Sequence, residues 1–341
     1  MKRIAIVILN WNGRKYLEKF LPLLLQFKPA DAEIVVADNA SRDDSVEFLK
    51  TRFPDIRIII NPSNEGFAKG YNLALEQIDT EYYVLLNSDI EVTENWLQPL
   101  VELMDSDPQI GACQPKIRSY HDPKRFEYAG AAGGFIDKYG YPFCRGRIFQ
   151  TIEEDHGQYD DQVEIFWASG ACMFVRAKLY HEFGGLDEDF FAHMEEIDFC
   201  WRLKNGGYKI MYCPQSTVFH IGGGTLPKIS WRKTYLNFRN NFYLLYKNLP
   251  EDRLVKVFTA RLLLDGIAAV KFLVQAGFKD FWAVSKAHFN FYRTLKRTRQ
   301  KRTLLKQETM KNVYGSNIVF EYWVRRRKKF TQLNTGKFYN R

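Results

Sequence analysis

The 341-residue sequence predicts a doubly wound, mostly parallel α/β sheet leading into a basic, mainly helical extension. Three observations carry this. Short apolar runs alternate with helical spacings through residues 4–86, three of the four runs end in Asn or Asp, and the charge changes sign near residue 225. Residues 1–225 hold 23 Lys+Arg against 34 Asp+Glu, a net of −11, and residues 226–341 hold 26 against 6, a net of +20. The expected organisation is therefore an α/β unit over 1–225 and a basic helical region over 226–341. A basic segment of this size faces something anionic, either membrane or nucleic acid.

The first run, Ile4 to Leu9, is apolar without a break, as in a strand covered on both faces. Asn10-Trp11-Asn12-Gly13 ends it, and Tyr16, Leu17, Phe20, Leu21, Leu24 and Leu25 follow at helical spacing. A second strand, Glu33 to Ala37, ends in Asp38-Asn39, and a helix with Val46, Leu49 and Phe53 inward comes next. A third strand, Ile56 to Ile60, enters the turn Asn61 to Gly70, and the helix after it carries Tyr71, Asn72, Leu75 and Ile78. The fourth strand, Tyr82 to Leu86, delivers Asn87-Ser88-Asp89. This β-α-β-α-β-α-β order specifies a parallel sheet with right-handed crossovers. In such sheets ligands bind at the carboxyl ends of the strands. Asn10, Asp38, Asn39, Asn87 and Asp89 thus outline a polar crevice of nucleotide size. Asn and Asp also mark turns, so one instance carries little; three in register carry more.

The Gly66–Gly70 loop lacks both G-x-G-x-x-G and G-x-x-x-x-G-K-[ST], which weakens dehydrogenase and NTPase readings. The five cysteines are odd in number and none has CxxC spacing, which argues against a disulfide framework and a zinc site and fits a reducing cytosol. The N-terminus enters a strand without a signal-peptide pattern. No apolar stretch is long enough to span a bilayer.

Further on, Asn95 to Met104 reads as a helix, Gly111 to Ile117 as a strand, and Phe166 to Val175 as another strand containing Ser169 and Gly170. Residues 187–198 contain six acids, Asp187, Glu188, Asp189, Glu195, Glu196 and Asp198, and a helix is expected from about Glu195. Acids suit the first turn of a helix electrostatically. They also suit a general base, which must reach a substrate hydroxyl. Tyr208 to Cys213 and Val218 to His220 read as two short strands, with His220 ahead of a Gly-rich loop where a metal ligand would be well placed.

Taken in this order, Asn87-x-Asp89, Glu195-Glu196-x-Asp198 and His220 resemble the family 2 glycosyltransferases of the GT-A fold, over roughly residues 3–246. Within that family the chain is most similar to the bacterial branch containing rhamnosyltransferases of surface-polysaccharide synthesis. The resemblance implies an inverting transfer from a nucleotide diphosphate sugar, UDP-, dTDP- or GDP-linked, to a glycan or polyprenyl-linked acceptor. By the same resemblance Asn10, Asp38 and Asn39 hold the base and ribose, and Gly66 and Asn72 flank the nucleotide. Asp89 and His220 hold Mn2+ or Mg2+. Ser169 and Gly170 lie beneath the donor sugar. Glu196 stands at the position of the catalytic base, with Glu195 and Asp198 as alternatives. Two departures are visible: Asn87 replaces the first acid of the family's D-x-D, and Glu196 replaces its usual Asp.

In the extension, Val255, Phe258, Leu262, Ala269 and Leu273 are expected on one broad apolar face, with Lys256, Arg261, Asp265 and Lys271 off it. Basic clusters follow, through Arg293–Arg302 and Arg325–Lys329. Helices packed on the catalytic unit would explain this, and so would an interfacial seat on anionic lipid, which places the protein in the cytoplasm, peripheral on the inner face of the cell membrane. The rival readings are a nucleotidyltransferase, whose basic phosphate loop is missing, and a nucleic-acid-binding protein using the basic tail. No RNP, zinc-finger or helix-turn-helix signature is present and the larger part of the chain is acidic, so no nucleic-acid partner is expected.

Overall fold

Side-chain alternation in the first strands decides how the sheet is covered. In the computed structural model, which describes residues 2–222, 230–275, 277–303, 307 and 310–339, β1 (Ile4–Asn10) sends Ile4, Ile6 and Ile8 to one face and Ala5 and Val7 to the other. The first face is covered by α1 (Arg14–Phe27) through Leu17, Leu21 and Leu24, and by α2 (Ser45–Arg52). The second is covered by α3 (Gly66–Leu75) through Tyr71 and Ala74. β2 (Ala32–Asp38), β3 (Arg57–Ile60) and β4 (Tyr82–Asn87) complete a parallel set in the order 3-2-1-4. Because β1 and β2 pair in register up to Asn10 and Asp38, their polar ends lie side by side.

Beyond β4 the sheet becomes mixed. β5 (Ile90–Val92) and α4 (Gln98–Ser106) lead to β6 (Ile110–Ser119). A small antiparallel sheet follows, made of β7 (Gly134–Asp137), β8 (Pro142–Cys144), β9 (Arg147–Ile148) and β10 (Thr151–Ile152). The chain returns to the main sheet with β11 (Val163–Ile165) and β12 (Cys172–Arg176), which is antiparallel to β4. The strand expected from Phe166 thus begins only at Cys172. Residues 166–171 are diverted toward the crevice, with Ser169 Oγ donating to the Ala129 carbonyl at 2.8 Å.

After α5 (Ala177–Glu182) and α6 (Glu195–Asn205), β13 (Lys209–His220) runs as one strand where two were expected. Its pairing with β6 shifts register between Cys213 and Thr217, so the polar interval is a bulge and not a break. That strand carries His220 to the crevice. Of the Gly-rich loop after it, residues 223–229 lie outside the described residues, as does the expected boundary at 225/226.

The extension comprises α7 (Trp231–Asn248), α8 (Glu251–Gln275), α9 (Phe278–Arg293), α10 (Leu295–Thr303), β14 (Val313–Tyr314) and α11 (Ile318–Trp323). β14 pairs with β7, so the extension supplies a strand to the small sheet. One apolar core runs from Val7 and Leu85 through Phe135 and Phe143 to Phe242, Leu245, Phe291 and Tyr314. Much of the basic charge is used internally. Lys247 pairs with Asp187 and Asp198, Lys301 with Asp187 and Asp189, Arg297 with Asp189, and Arg325 and Arg327 with buried Glu321. Among the described residues, no helix is long and apolar enough to cross a membrane.

Candidate active site

The strand ends build one wall of the crevice. Asn10 Nδ2 donates to Asp38 Oδ2 at 2.9 Å and to Ser41 Oγ at 3.2 Å, and the Ser41 N–H donates to Asp38 Oδ1 at 2.8 Å. Asn10 Oδ1 is buried with no hydrogen-bond partner among the described residues, beside Ser88 and the start of α1. Buried acceptors are nearly always satisfied, so an orphan in a crevice is a place for a ligand donor. Asn39 is different: Oδ1 accepts from Asn61 Nδ2 (3.1 Å) and Nδ2 donates to Asn64 Oδ1 (3.1 Å) and the Gly66 carbonyl (3.0 Å). Its carboxamide pins the 61–66 turn and has no donor left for a nucleotide. Asn72 is likewise committed, bridging both backbone groups of Leu186 and accepting from Tyr180 Oη at 2.7 Å. These bonds tie α3 to the loop ahead of α6. Gly66 sits at φ +79°, and a Cβ there would lie 2.6 Å from the Phe191 carbonyl. Only glycine permits that conformation together with that approach.

Beyond the end of β4, which lies beside the end of β1, Asp89 Oδ1 and His220 Nε2 are 3.1 Å apart, and Glu127 Oε2 lies 3.1 Å from His220 Nδ1. All three are buried. Burial opposes charge on the imidazole, yet Glu127 and Asp89 together push its pKa up to about 10. Both carboxyls, though burial alone would raise them, are held below their ordinary values by His220. As it stands this edge is an Asp–imidazolium ion pair; two ligands about 2.1 Å from one divalent ion and at right angles are also roughly 3 Å apart, so the same edge would admit a cation that displaces the Nε2 proton. Glu127 contacts the other ring nitrogen as an ion-pair partner, on the side where carboxylates stand behind metal-binding imidazoles. Among the described residues no three acidic, His or Cys side chains converge to hold a metal unaided. The remaining positions would fall to substrate phosphate and water, as hard cations at diphosphates commonly arrange. Asn87 Nδ2 lies 3.5 Å from His220 Nε2, at the edge of the pair.

The third side is α6. Asp198 is fully buried and accepts from Arg202 Nε (2.9 Å), Lys247 Nζ (2.8 Å) and Asn248 Nδ2 (2.8 Å). It is a structural anchor for α7, which removes it as a candidate base. Glu195 and Glu196 each retain a carboxyl oxygen without a hydrogen-bond partner among the described residues. Burial, with Glu196 beside it, raises Glu195 well above the carboxylate range. Burial likewise raises Glu196, to about 7, against the pull of N–H groups at the helix start. Glu196 is half-buried, and a Cβ at Gly170 would meet the ring of Phe67 at 3.1 Å, with the Cβ of Glu196 at 3.8 Å. Ser169, next to Gly170, is held by the Ala129 carbonyl, and the Ala129 N–H donates to Glu127. A short chain of bonds therefore ties the base candidate's floor to the histidine's carboxylate.

The segment leading into α6 is strained. Phe191, His193 and Met194 all have positive φ, at 63°, 71° and 75°. Such backbone persists only where surroundings over-determine it. Here α7 does so: Asn240 Nδ2 contacts the carbonyls of Phe190, Ala192 and His193 at 2.7–2.9 Å, and Arg239 adds contacts to Asp189 and Phe190. Sequence reasoning missed Glu127, Asn240 and Arg239. Glu127 lies in a stretch with no periodicity, and only its pairing with His220 through the fold marks it.

The chain matches the model of Glycosyl transferase family 2 over residues 5–184. It is 25% identical over 235 residues to the N-acetylglucosaminyl-diphospho-decaprenol L-rhamnosyltransferase of Mycobacterium tuberculosis, covering 64% of this chain and 75% of that protein. It is 24% identical over 265 residues to the dTDP-rhamnosyl transferase RfbF of Shigella flexneri, covering 72% and 80%. Among solved structures it resembles GalNAc-T7, determined with UDP, GalNAc and Mn2+, at a TM-score of 0.58 and 17% identity, over 90% of this chain and 55% of that one. Staphylococcus aureus TarS aligns at 0.56 and 14% identity, over 88% and 50%. These structural likenesses, with the mixed sheet and its strand order, establish the GT-A fold. The chain belongs to the family 2 glycosyltransferases, as a rhamnosyltransferase-like enzyme that transfers a hexose in glycan biosynthesis.

Proposed function

We propose that the enzyme is an inverting, metal-dependent transferase that moves a sugar from a nucleotide diphosphate donor to a hydroxyl of a glycan or polyprenyl-linked acceptor in surface-polysaccharide synthesis. The observation that carries this reading is the Asp89–His220 pair with Glu127 beside it, joined by hydrogen bonds through Ala129 to Ser169, next to the Gly170 that the Cβ of Glu196 approaches. Asn10 and Asp38 receive the nucleoside, with Asn10 Oδ1 accepting a donor from it. Gly66 and Asn87 border the nucleotide, and Ser169 and Gly170 form the floor below the sugar. Asp89 and His220 would hold Mn2+ or Mg2+. When bound, that ion neutralises charge on the departing diphosphate. Glu196, as carboxylate, takes the proton of the acceptor hydroxyl while its oxygen attacks the anomeric carbon. The bond from that carbon to the diphosphate oxygen breaks, and the nucleoside diphosphate leaves. One displacement suffices, so no covalent nucleophile is needed.

The similarity to RfbF makes dTDP-rhamnose the first donor to test, beside UDP- and GDP-sugars. The similarity to the decaprenol-dependent enzyme favours a polyprenyl-linked acceptor, and with it a cytoplasmic position on the inner face of the membrane. The test is donor turnover with each nucleotide sugar, in Mn2+, Mg2+ or EDTA, with the anomeric configuration of the product read by NMR. Metal-dependent turnover with inversion supports the reading. Turnover with retention, or none with any donor, overturns it.

A further inference from the structure

The charged and apolar sides of α8 are reversed relative to a helix that lies against water. Arg261 (2% exposed) and Asp265 (0%) point into the protein. There Arg261 Nε donates to Asp265 Oδ1 at 3.1 Å and Nη1 to the Tyr139 carbonyl at 2.9 Å, while His288 and Tyr141 close on Asp265 at 3.3 and 3.1 Å. The opposite side presents Leu263 (68% exposed), Ile267 (68%), Val270 and Val274 (82%), at helical spacing. This corrects the expected face, which placed Arg261 and Asp265 outward and Phe258 and Ala269 with the apolar stripe; Phe258 and Ala269 pack inward. Phe278 and Trp282, stacked at the start of α9, extend the stripe, and both are exposed. A surface helix normally shows the reverse pattern. Monomers in water rarely leave apolar surface of this extent uncovered.

We propose that the outward faces of α8, the start of α9 and α11 rest in the interfacial layer of an anionic membrane. Cations frame the stripe: Lys256, Lys279 and Lys286 are exposed, and Lys271 lies 3.6 Å from the ring centre of Trp323. Trp323 is itself partly exposed and leads into the Arg325–Lys329 run. Between Arg253 and Lys279 the only acid is Asp265, which is buried. Apolar side chains inserted among headgroups, Lys and Arg at phosphate level and Trp at the boundary are the composition of an interfacial helix. A second copy of the chain fits less well, because two-fold pairing would set the same cations against one another. From Val255 to Val274 the exposed stripe runs about 28 Å, along the membrane and not through it.

This seat lies next to the active site. Lys286 of α9 stands over the rings of Trp231 and Tyr235, and Thr234 Oγ1 donates to Asp280 at 2.7 Å. Arg232 lies over the ring of Phe191, whose carbonyl accepts the Phe67 N–H at 2.7 Å. The start of α9 is thus separated from the strained loop ahead of Glu196 by α7 alone. Delivery of an acceptor along this route rests on the lipid-linked acceptor proposed above; the membrane seat does not.

The test is co-sedimentation of the full chain with vesicles of phosphatidylcholine, with and without phosphatidylglycerol, at low and high salt, beside light-scattering mass. The wild type is expected to bind the phosphatidylglycerol vesicles and to lose affinity in high salt, with a blue shift in Trp emission that Trp282→Phe reduces. Ile267→Glu with Val274→Glu, both on exposed positions, is expected to weaken binding at least about tenfold, with melting temperature and nucleotide binding unchanged. Equal vesicle binding by the double variant would overturn the proposal. So would a wild type that ignores vesicles but is a dimer the double variant makes monomeric; the stripe would then seat a second copy. Loss of donor turnover in the wild type overturns the transferase mechanism and leaves the vesicle result standing.

Discussion

Replacing Glu196 by Gln should slow transfer sharply and, above neutral pH, stabilise the fold. The carboxyl has a folded-state pKa of about 7, raised by burial from 4.5. Below 4.5 it is neutral in both folded and unfolded chains, so it distinguishes nothing. Between 4.5 and 7 the unfolded chain ionises first, and stability is lost as pH rises. Above 7 the loss is complete, and 2.5 units correspond to about 3 kcal/mol. Because the side chain is only half-buried, relaxation and water bring this to about 2 kcal/mol. Gln removes the ionisation, so at pH 8 the variant should melt about 3 °C above wild type, and at pH 4.5 the two should coincide. Turnover should fall by about 10²–10⁴ through loss of the general base. In the wild type kcat/KM should rise with pH and level off above about 7. The assays are differential scanning fluorimetry at the two pH values and donor turnover across the range. The same melting shift at both pH values would refute the burial argument. Full turnover in Glu196→Gln, with loss in Glu195→Gln, would move the base to Glu195.

Three other substitutions test the supporting structure. Glu127→Gln should weaken metal-dependent nucleotide binding about tenfold to a hundredfold while leaving metal-free binding alone, measured by calorimetry with Mn2+ and with EDTA. Asn240→Ala removes the group that holds three carbonyls of the strained loop; kcat should fall at least about tenfold with KM for the donor little changed, since the base moves and the nucleotide site does not. Asp198→Asn leaves Lys247 and Arg202 buried with one anionic partner fewer, and should cost about 3 kcal/mol or more in chemical denaturation.

The legible parts of this chain were those with local periodicity. The four parallel strands, their helices and the polar strand ends follow from runs such as Ile4–Leu9 and Tyr82–Leu86, whose pattern fits only a sheet covered on both faces. Asp89, Glu196 and His220 were legible as a constellation, and the fold places Asp89 against His220. What was not legible depends on distant pairing. Glu127 lies 93 residues before His220, in a stretch of short strands that each bury little. Asp198 reads as one more first-turn acid until Lys247 and Asn248 arrive from another helix. The two faces of α8 could not be told apart, because an inward Arg261–Asp265 pair and an outward pair give the same spacing. Only the packing of α9 and Tyr141 decides which side is buried.

The measurement that tests the central claim most directly is calorimetric binding of dTDP-, UDP- and GDP-sugars to wild type and Asp89→Ala, each with Mn2+, Mg2+ or EDTA. At least one nucleotide sugar should bind the wild type, more tightly with metal than with EDTA. Asp89→Ala should lose that metal-dependent increment and retain the weaker metal-free binding through Asn10 and Asp38. Equal affinity with metal and with EDTA in the wild type, or an undiminished metal effect in Asp89→Ala, would contradict the assignment of Asp89 and His220 as the cation site.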